Sequence, residues 1–402
     1  MAFQRIQPDH EWRAERLQAV PAPWRGRIAR EHAASSRSWE QRTERRIGEV
    51  HAGNAWLRDI SAACVELLGH VWVPVDASDG ELCDLADRCA REAFSKANGP
   101  AGFRTPEDLR AVLATYAGRY GIAEPAGCQD GPAIARMTDP AWWRRGLRRA
   151  QGRALERAAI RLGFVHRRDQ IYASDATVQR RTEQRRRNAA ALERTDAINM
   201  DTGEVYNLAE LAALSVANPR IRRGELMVRI RGFEEIAAFA GDVGEFITLT
   251  CPSRFHARTA DQAGRVVENP RYDGSTPREA QAHLTRTWAN ARAKLHRLGV
   301  RVYGFRIAEP HHDGCPHWHL LLFVQPDQQQ ALRDVLTHHA LKVDGDEPGA
   351  KRNRVLFKAM DPGQGGAAGY IAKYVSKNID GGGYVVQGDV EGHDSTLDPS
   401  CR

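Results

Sequence analysis

"VRVYGFRIAEPHHDGCPHWHLLLFV", residues 300–324, holds two β-branched, aromatic and apolar runs on either side of a segment rich in proline, glycine and polar residues. Such runs predict two strands joined as a hairpin through "PHHDGCP". Successive side chains of a strand point to opposite faces, so His317 and His319 project together while Trp318 points the other way. If all seven residues Pro310–Pro316 form the loop, Glu309 falls opposite His317 on the same face. A two-residue turn at Asp313-Gly314 would instead set it opposite Trp318. The proline at each end favours the longer loop. Two imidazoles and a carboxylate on one face make a ligand set with open positions, suited to a divalent ion that also holds substrate oxygens. The competing reading of H-x-H on a strand is an ordinary surface or core pair. His311 and His312 read as polar loop residues.

"EFITLT" (245–250) predicts a strand that ends at Cys251-Pro252, where proline stops the ladder, and a polar loop follows. The stretch "STPREAQAHLTRTWANARAKLHRLGV" (275–300) predicts a helix with Thr276 as N-cap, Pro277 at its first position, Glu279 closing a capping box and Gly299 as its stop. "PDQQQALRDVLTHHALKV" (326–343) offers Asp327 and Gln330 in capping-box positions before a second helix, "RVLFKAM" (354–360) a fourth strand, and "GGAAGYIAKYVSKNI" (365–379) helical spacing again. The order β-α-β-β-α-β is the split βαβ arrangement of the ferredoxin-like class. The fold class is therefore α+β, a central antiparallel sheet with two helices on one face and the other face free to build a site.

Ahead of this domain, expected over residues 236–385, residues 1–235 read as a mainly helical region, with apolar residues at helical spacing among Arg, Glu and Ala. The chain of 402 residues is 42% hydrophobic and 27% charged, ordinary for globular protein. Neither a signal peptide nor an apolar run of about 20 residues is visible, so no membrane partner is expected and the chain reads as cytoplasmic. Seven cysteines without CxxC spacing indicate reduced thiols rather than a disulfide framework. Net charge is +7, and residues 141–188 hold 14 arginines against four acids. That stretch reads equally as a solvated helical face or as one that meets a polyanion such as DNA.

In "GYIAKYVSKNI", Tyr370, Tyr374 and Lys377 fall on one helical stripe with Lys373 beside it. A tyrosine is a poor nucleophile near its free pKa of about 10 and needs a cation or a metal-polarised electrophile beside it. Half-buried core tyrosines with solvated lysines are the plainer reading of that spacing alone.

Together, "FITLT", "RIAEPHHDGCPHWHLLLF" and "GYIAKYVSKNID" resemble, in order and spacing, the three motifs of rolling-circle replication initiators of the HUH endonuclease superfamily, specifically the phage replication gene A protein family. The resemblance covers roughly residues 245–380. It implies that His317 and His319 bind a divalent metal, Mg²⁺ or Mn²⁺, with Glu309 as the further ligand. It implies Tyr370 and Tyr374 as nucleophiles; Lys373 and Lys377, each three residues after a tyrosine, are read from that spacing as catalytic, since a lysine can lower a tyrosine's pKa or steady the leaving charge. It further implies a site-specific nick in single-stranded DNA at a replication origin, a covalent 5′-phosphotyrosine link, strand joining, and host helicase and replication machinery as partners in a bacterial cytoplasm. Members are commonly longer, so residues 386–402 are expected as a flexible tail at a truncation point. Relaxases and single-strand transposases share the motifs and are the nearest alternative; a non-catalytic nucleic-acid-binding module is a more distant one. A zinc hydrolase is disfavoured because the H-E-x-x-H helix is absent.

Overall fold

Segments rich in alanine, arginine and glutamate dominate the first 162 residues, and with few β-branched runs to compete they fold as helices. The computed structural model describes residues 9–40, 46–99, 105–261 and 263–360. The chain divides into two compact units after Leu162. In the first unit the described residues form α1 (Asp9–Gln18), α2 (Ala22–Glu40), α3 (Arg46–Leu68), α4 (Asp79–Asn98), α5 (Pro106–Arg119), α6 (Asp130–Met137) and α7 (Pro140–Arg161). Polar caps fix several starts: Ser78 and Glu81 close a capping box on α4, and Thr105 and Asp139 precede prolines at the heads of α5 and α7. Leu82, Leu113, Met137, Trp143 and Leu147 build the core. The fully buried Trp143 indole donates to the Met137 carbonyl at 2.7 Å, so its polar atom is satisfied.

The second unit opens with α8 (Asp175–Glu193), a small hairpin of β1 (Asp196–Ile198) and β2 (Val205–Asn207), α9 (Leu208–Ala213) and α10 (Pro219–Ala240). It continues through β3 (Val243–Leu249), β4 (Arg258–Ala260), β5 (Val266–Glu268), α11 (Pro277–Arg297), β6 (Tyr303–Pro310), β7 (Pro316–Val324), α12 (Gln329–Leu341), α13 (Ala350–Asn353) and β8 (Val355–Ala359). The main sheet has the order β6-β7-β3-β8 with every neighbouring pair antiparallel. The class is α+β. Helix α10 packs on this sheet.

Alternation along the strands separates two apolar layers. Ile247, Leu249, Trp318, Leu320, Leu322 and Val324 face α11 and α12, where Leu284, Leu295, Leu332 and Leu336 complete the core. Phe246, Leu321 and Phe323 face the other way and meet Ile230 and Ala237 of α10. That second face was expected to be free. Instead α10 covers the part where the strands carry apolar residues, and the polar residues at the head of the β6–β7 hairpin lie on the remainder.

Two local expectations also change. The polar loop after β3 contains a 3₁₀ turn at Ser253–Phe255 and the two-stranded β4–β5 sheet. Asp327 does not cap α12: Pro326–Gln328 form a 3₁₀ turn, and Gln328 occupies the N-cap without a side-chain hydrogen bond. Gln329 and Arg333 are drawn instead to the fully buried Glu245 carboxylate, at 2.7 and 2.9 Å. By contrast α11 begins with the Thr276–Glu279 box and Pro277, as its sequence specifies. No helix among the described residues is long and apolar enough to cross a membrane.

Candidate metal centre

The β6–β7 ladder runs to its last pair, Pro310 opposite Pro316, leaving a five-residue loop from His311 to Cys315. Two glycines make this geometry available. Gly314 turns the chain at φ +83°, which side-chain-bearing residues rarely adopt. At Gly304 a Cβ would lie 1.9 Å from the Leu321 carbonyl oxygen, so only glycine lets the two strands approach there. The loop has the parity of the longer alternative, and Glu309 pairs with His317, Ala308 with Trp318 and Ile307 with His319.

Glu309, His317 and His319 therefore share a face, and their ligand atoms all lie within 4.8 Å of one another. The two histidine side chains are buried, and Glu309 is 11% exposed. His317 Nε2 and His319 Nε2 are 2.9 Å apart, and His319 Nε2 lies 3.5 Å from Glu309 Oε2. The donor set fits a small divalent ion: two ligands at right angles, each about 2.1 Å from an ion, would be about 3 Å apart. Two imidazoles with one carboxylate also leave positions open for oxygen atoms of another molecule.

Neighbouring strands set the orientation of His319. Thr248 of β3 is its ladder partner, and its hydroxyl lies 3.1 Å from His319 Nδ1, which leaves Nε2 directed to the other two ligands. Phe246, also on β3, stacks on the His319 ring with centroids 5.4 Å apart and planes 17° from parallel. Trp318 is wholly buried on the opposite face, its indole donating to Gln281 Oε1 at 2.9 Å.

The loop residues are more than polar filler. His311 packs against His317 with ring centroids 4.0 Å apart, and its Nε2 is buried with no hydrogen-bond partner among the described residues. Burial pushes the His311 imidazole well below its ordinary value, and the neighbouring His256 adds to that. His312 stacks on Tyr172, whose backbone sits at φ +72°. Asp313 is buried; one carboxylate oxygen accepts from the Cys315 amide at 3.1 Å and the other lies 3.1 Å from His256 Nδ1. Burial alone would raise the Asp313 carboxyl, but the His256 contact holds it below its usual range.

Thr248, His256 and Tyr172 are the residues that reading the sequence missed. Thr248 sits in the quoted "FITLT", where only the strand register assigns it to His319; His256 is 57 residues from Asp313 and no spacing links them. Tyr370, Lys373, Tyr374 and Lys377, like the tail at 386–402, lie outside the described residues.

The bacteriophage replication gene A protein family model matches residues 110–382, a span that takes in Glu309, His317 and His319 and the segment with both tyrosines. The chain is 43% identical over 275 residues to the replication gene A protein of Escherichia phage 186, a match covering 67% of this chain and 39% of that protein. It is 40% identical over 264 residues to the replication gene A protein of Escherichia phage P2, covering 64% and 34%. To a protein of Salmonella paratyphi A named probable replication endonuclease from prophage-like region it is 37% identical over 253 residues, covering 63% and 31%. The matched part thus spans under two fifths of these relatives' own length. No solved structure matches the chain. With the family model matching well over half of its residues, the chain belongs to the bacteriophage replication gene A protein family.

Proposed function

We propose that residues 236–385 form a ferredoxin-like HUH endonuclease domain. In this reading the chain nicks single-stranded DNA at a replication origin and rejoins strands through a 5′-phosphotyrosine link, initiating rolling-circle replication. The observation that carries the reading is the convergence of His317, His319 and Glu309 within 4.8 Å on one sheet face. Family membership supports it, as does the word endonuclease in the name of the Salmonella relative.

His317, His319 and Glu309 would hold Mg²⁺ or Mn²⁺, with Thr248 and Phe246 fixing the His319 ring. When bound, such an ion polarises a scissile phosphate and offsets the charge that builds on its oxygens. Tyr370 or Tyr374 then attacks phosphorus: the phenolic oxygen bonds to phosphorus, the bond to the 3′-oxygen breaks, and the phenol proton leaves as the 3′-oxygen gains one. Lys373 and Lys377 steady the phenolate. Because one phosphoester replaces another, the link retains the energy needed for joining, and two tyrosines four positions apart in the sequence can alternate. The nicked strand must be unpaired to enter the site. Host helicase and replication machinery are the partners this role requires, acting in the cytoplasm of the bacterial host.

The test is to incubate the chain with labelled single-stranded oligonucleotides and Mn²⁺, then look for an adduct that survives denaturation. Mass spectrometry should place it on Tyr370 or Tyr374. No adduct with any origin-bearing oligonucleotide, or one on Tyr303, would overturn the reading.

A further inference from the structure

Next to the three ligands lies a second group of titratable side chains with no part in the scheme above. Asp313 and His256 are 3.1 Å apart through Oδ2 and Nδ1. The His256 ring meets the His311 ring edge-on at 5.1 Å, and the His311 ring packs on His317 at 4.0 Å. The chain of contact Asp313–His256–His311–His317 is continuous, and it joins the ligand pair at the 2.9 Å separation of His317 from His319.

Each member is fixed from elsewhere in the fold. The Cys315 amide holds Asp313 Oδ1, and the buried Asn269 donates to the His256 carbonyl at 2.8 Å and to the Ser253 carbonyl at 2.7 Å. The His311 backbone is closed by its amide to the Cys315 carbonyl at 2.6 Å and by its carbonyl to the Gly314 amide at 2.8 Å. A carboxylate at Nδ1 selects one tautomer and one ring orientation for His256, the arrangement by which such pairs orient a working imidazole. His311 Nε2 is buried and has no partner among the described residues, an unfavourable state that an arriving oxygen or ion would relieve.

We propose that Asp313 and His256 are a positioning pair that presses His311 onto His317 and so fixes the geometry of the metal centre. His311 is itself a positioning residue. This inference rests on the metal reading of His317, His319 and Glu309 and adds three residues to it. None of the three need touch the ion. Their effect passes through the His317 ring, as outer partners of ligating histidines commonly act, with losses of about 10- to 100-fold in metal affinity on mutation.

The experiment measures Mn²⁺ binding to the full chain by electron paramagnetic resonance titration, a readout independent of DNA cleavage. Its variants are His256→Phe, His256→Asn, His311→Phe and His311→Ala, with thermal unfolding as the fold control. His256→Phe keeps a ring against His311 and removes the bond to Asp313; about tenfold weaker Mn²⁺ binding is expected, with melting unchanged. His256→Asn can restore a donor to Asp313 and is expected to recover part of the affinity. His311→Phe keeps the packing on His317 and loses the buried nitrogen, so a smaller loss than in a His311→Ala chain is expected. Mn²⁺ affinity within twofold of the parent in folded His256→Phe and His311→Ala chains would overturn the proposal while leaving the metal reading standing. If His317→Ala with His319→Ala also binds Mn²⁺ normally, the metal reading fails and this proposal with it.

Discussion

At the scale of single residues, the centre depends on where one hydroxyl and two ring nitrogens point. Thr248 lies 3.1 Å from His319 Nδ1. Thr248→Val keeps the strand and its volume but removes that contact, so Mn²⁺ affinity should fall by about tenfold with melting little changed, as calorimetric titration would show. Removing the ligands themselves is more severe. His317→Ala with His319→Ala, or EDTA on the parent chain, should abolish nicking, while binding to DNA in low salt persists because phosphate contacts supply most nonspecific affinity. Full cleavage by the double variant would refute the metal assignment. Among the tyrosines, Tyr370→Phe and Tyr374→Phe should each keep some cleavage or lose chiefly the joining step, whereas the double variant should form no covalent adduct. Phenylalanine keeps the ring and removes only the hydroxyl, so lost chemistry would be that of the hydroxyl.

At the scale of elements, α8 and α11 illustrate opposite bases for a helix. α11 has the Thr276–Glu279 box, proline at its start and a buried face with Ala280, Leu284, Ala291 and Leu295. Thr276→Ala should cost about 1 kcal/mol, measurable by urea unfolding. α8 buries no residue along its 19 positions and displays Arg181, Arg185 and Arg186 to solvent. A helix that is polar all round gains little from tertiary packing, and its arginines are the natural contact for a phosphate backbone. Replacing Arg185, Arg186 and Arg187 with alanine should weaken duplex DNA binding and flatten its salt dependence. An unchanged salt slope in filter-binding assays would return α8 to the role of a solvated face.

At the scale of the whole molecule, the sheet is held between two apolar layers, and its charged contents are placed with economy. Glu245 is fully buried on β3 and is met by Arg333 and Gln329 of α12. Arg333→Met leaves that carboxylate with one neutral donor and should destabilise the second unit by about 3 kcal/mol, lowering the urea midpoint, since an uncompensated buried charge is costly. Metal binding at the opposite face should be unaffected in the folded fraction.

The α+β class, the strands around 245–250 and 303–324, the start of α11 and the sharing of one strand face by His317 and His319 were legible in the sequence, because each rests on local rules. Strand alternation fixes which side chains share a face, capping fixes where a helix starts, and proline ends a ladder. The pairing of Glu309 with His317 was decided only by the length of the hairpin loop, since one residue of slip exchanges every face. The capping signal at Asp327 gave way to a 3₁₀ turn over Pro326–Gln328, and the Gln330 side chain donates to Asp334 within α12 rather than back toward the helix start. The covering of the second sheet face by α10, the contact of Thr248 with His319, and the meeting of His256 with Asp313 join residues remote in sequence. Periodicity carries no information about which distant segments meet; tertiary packing alone selects them.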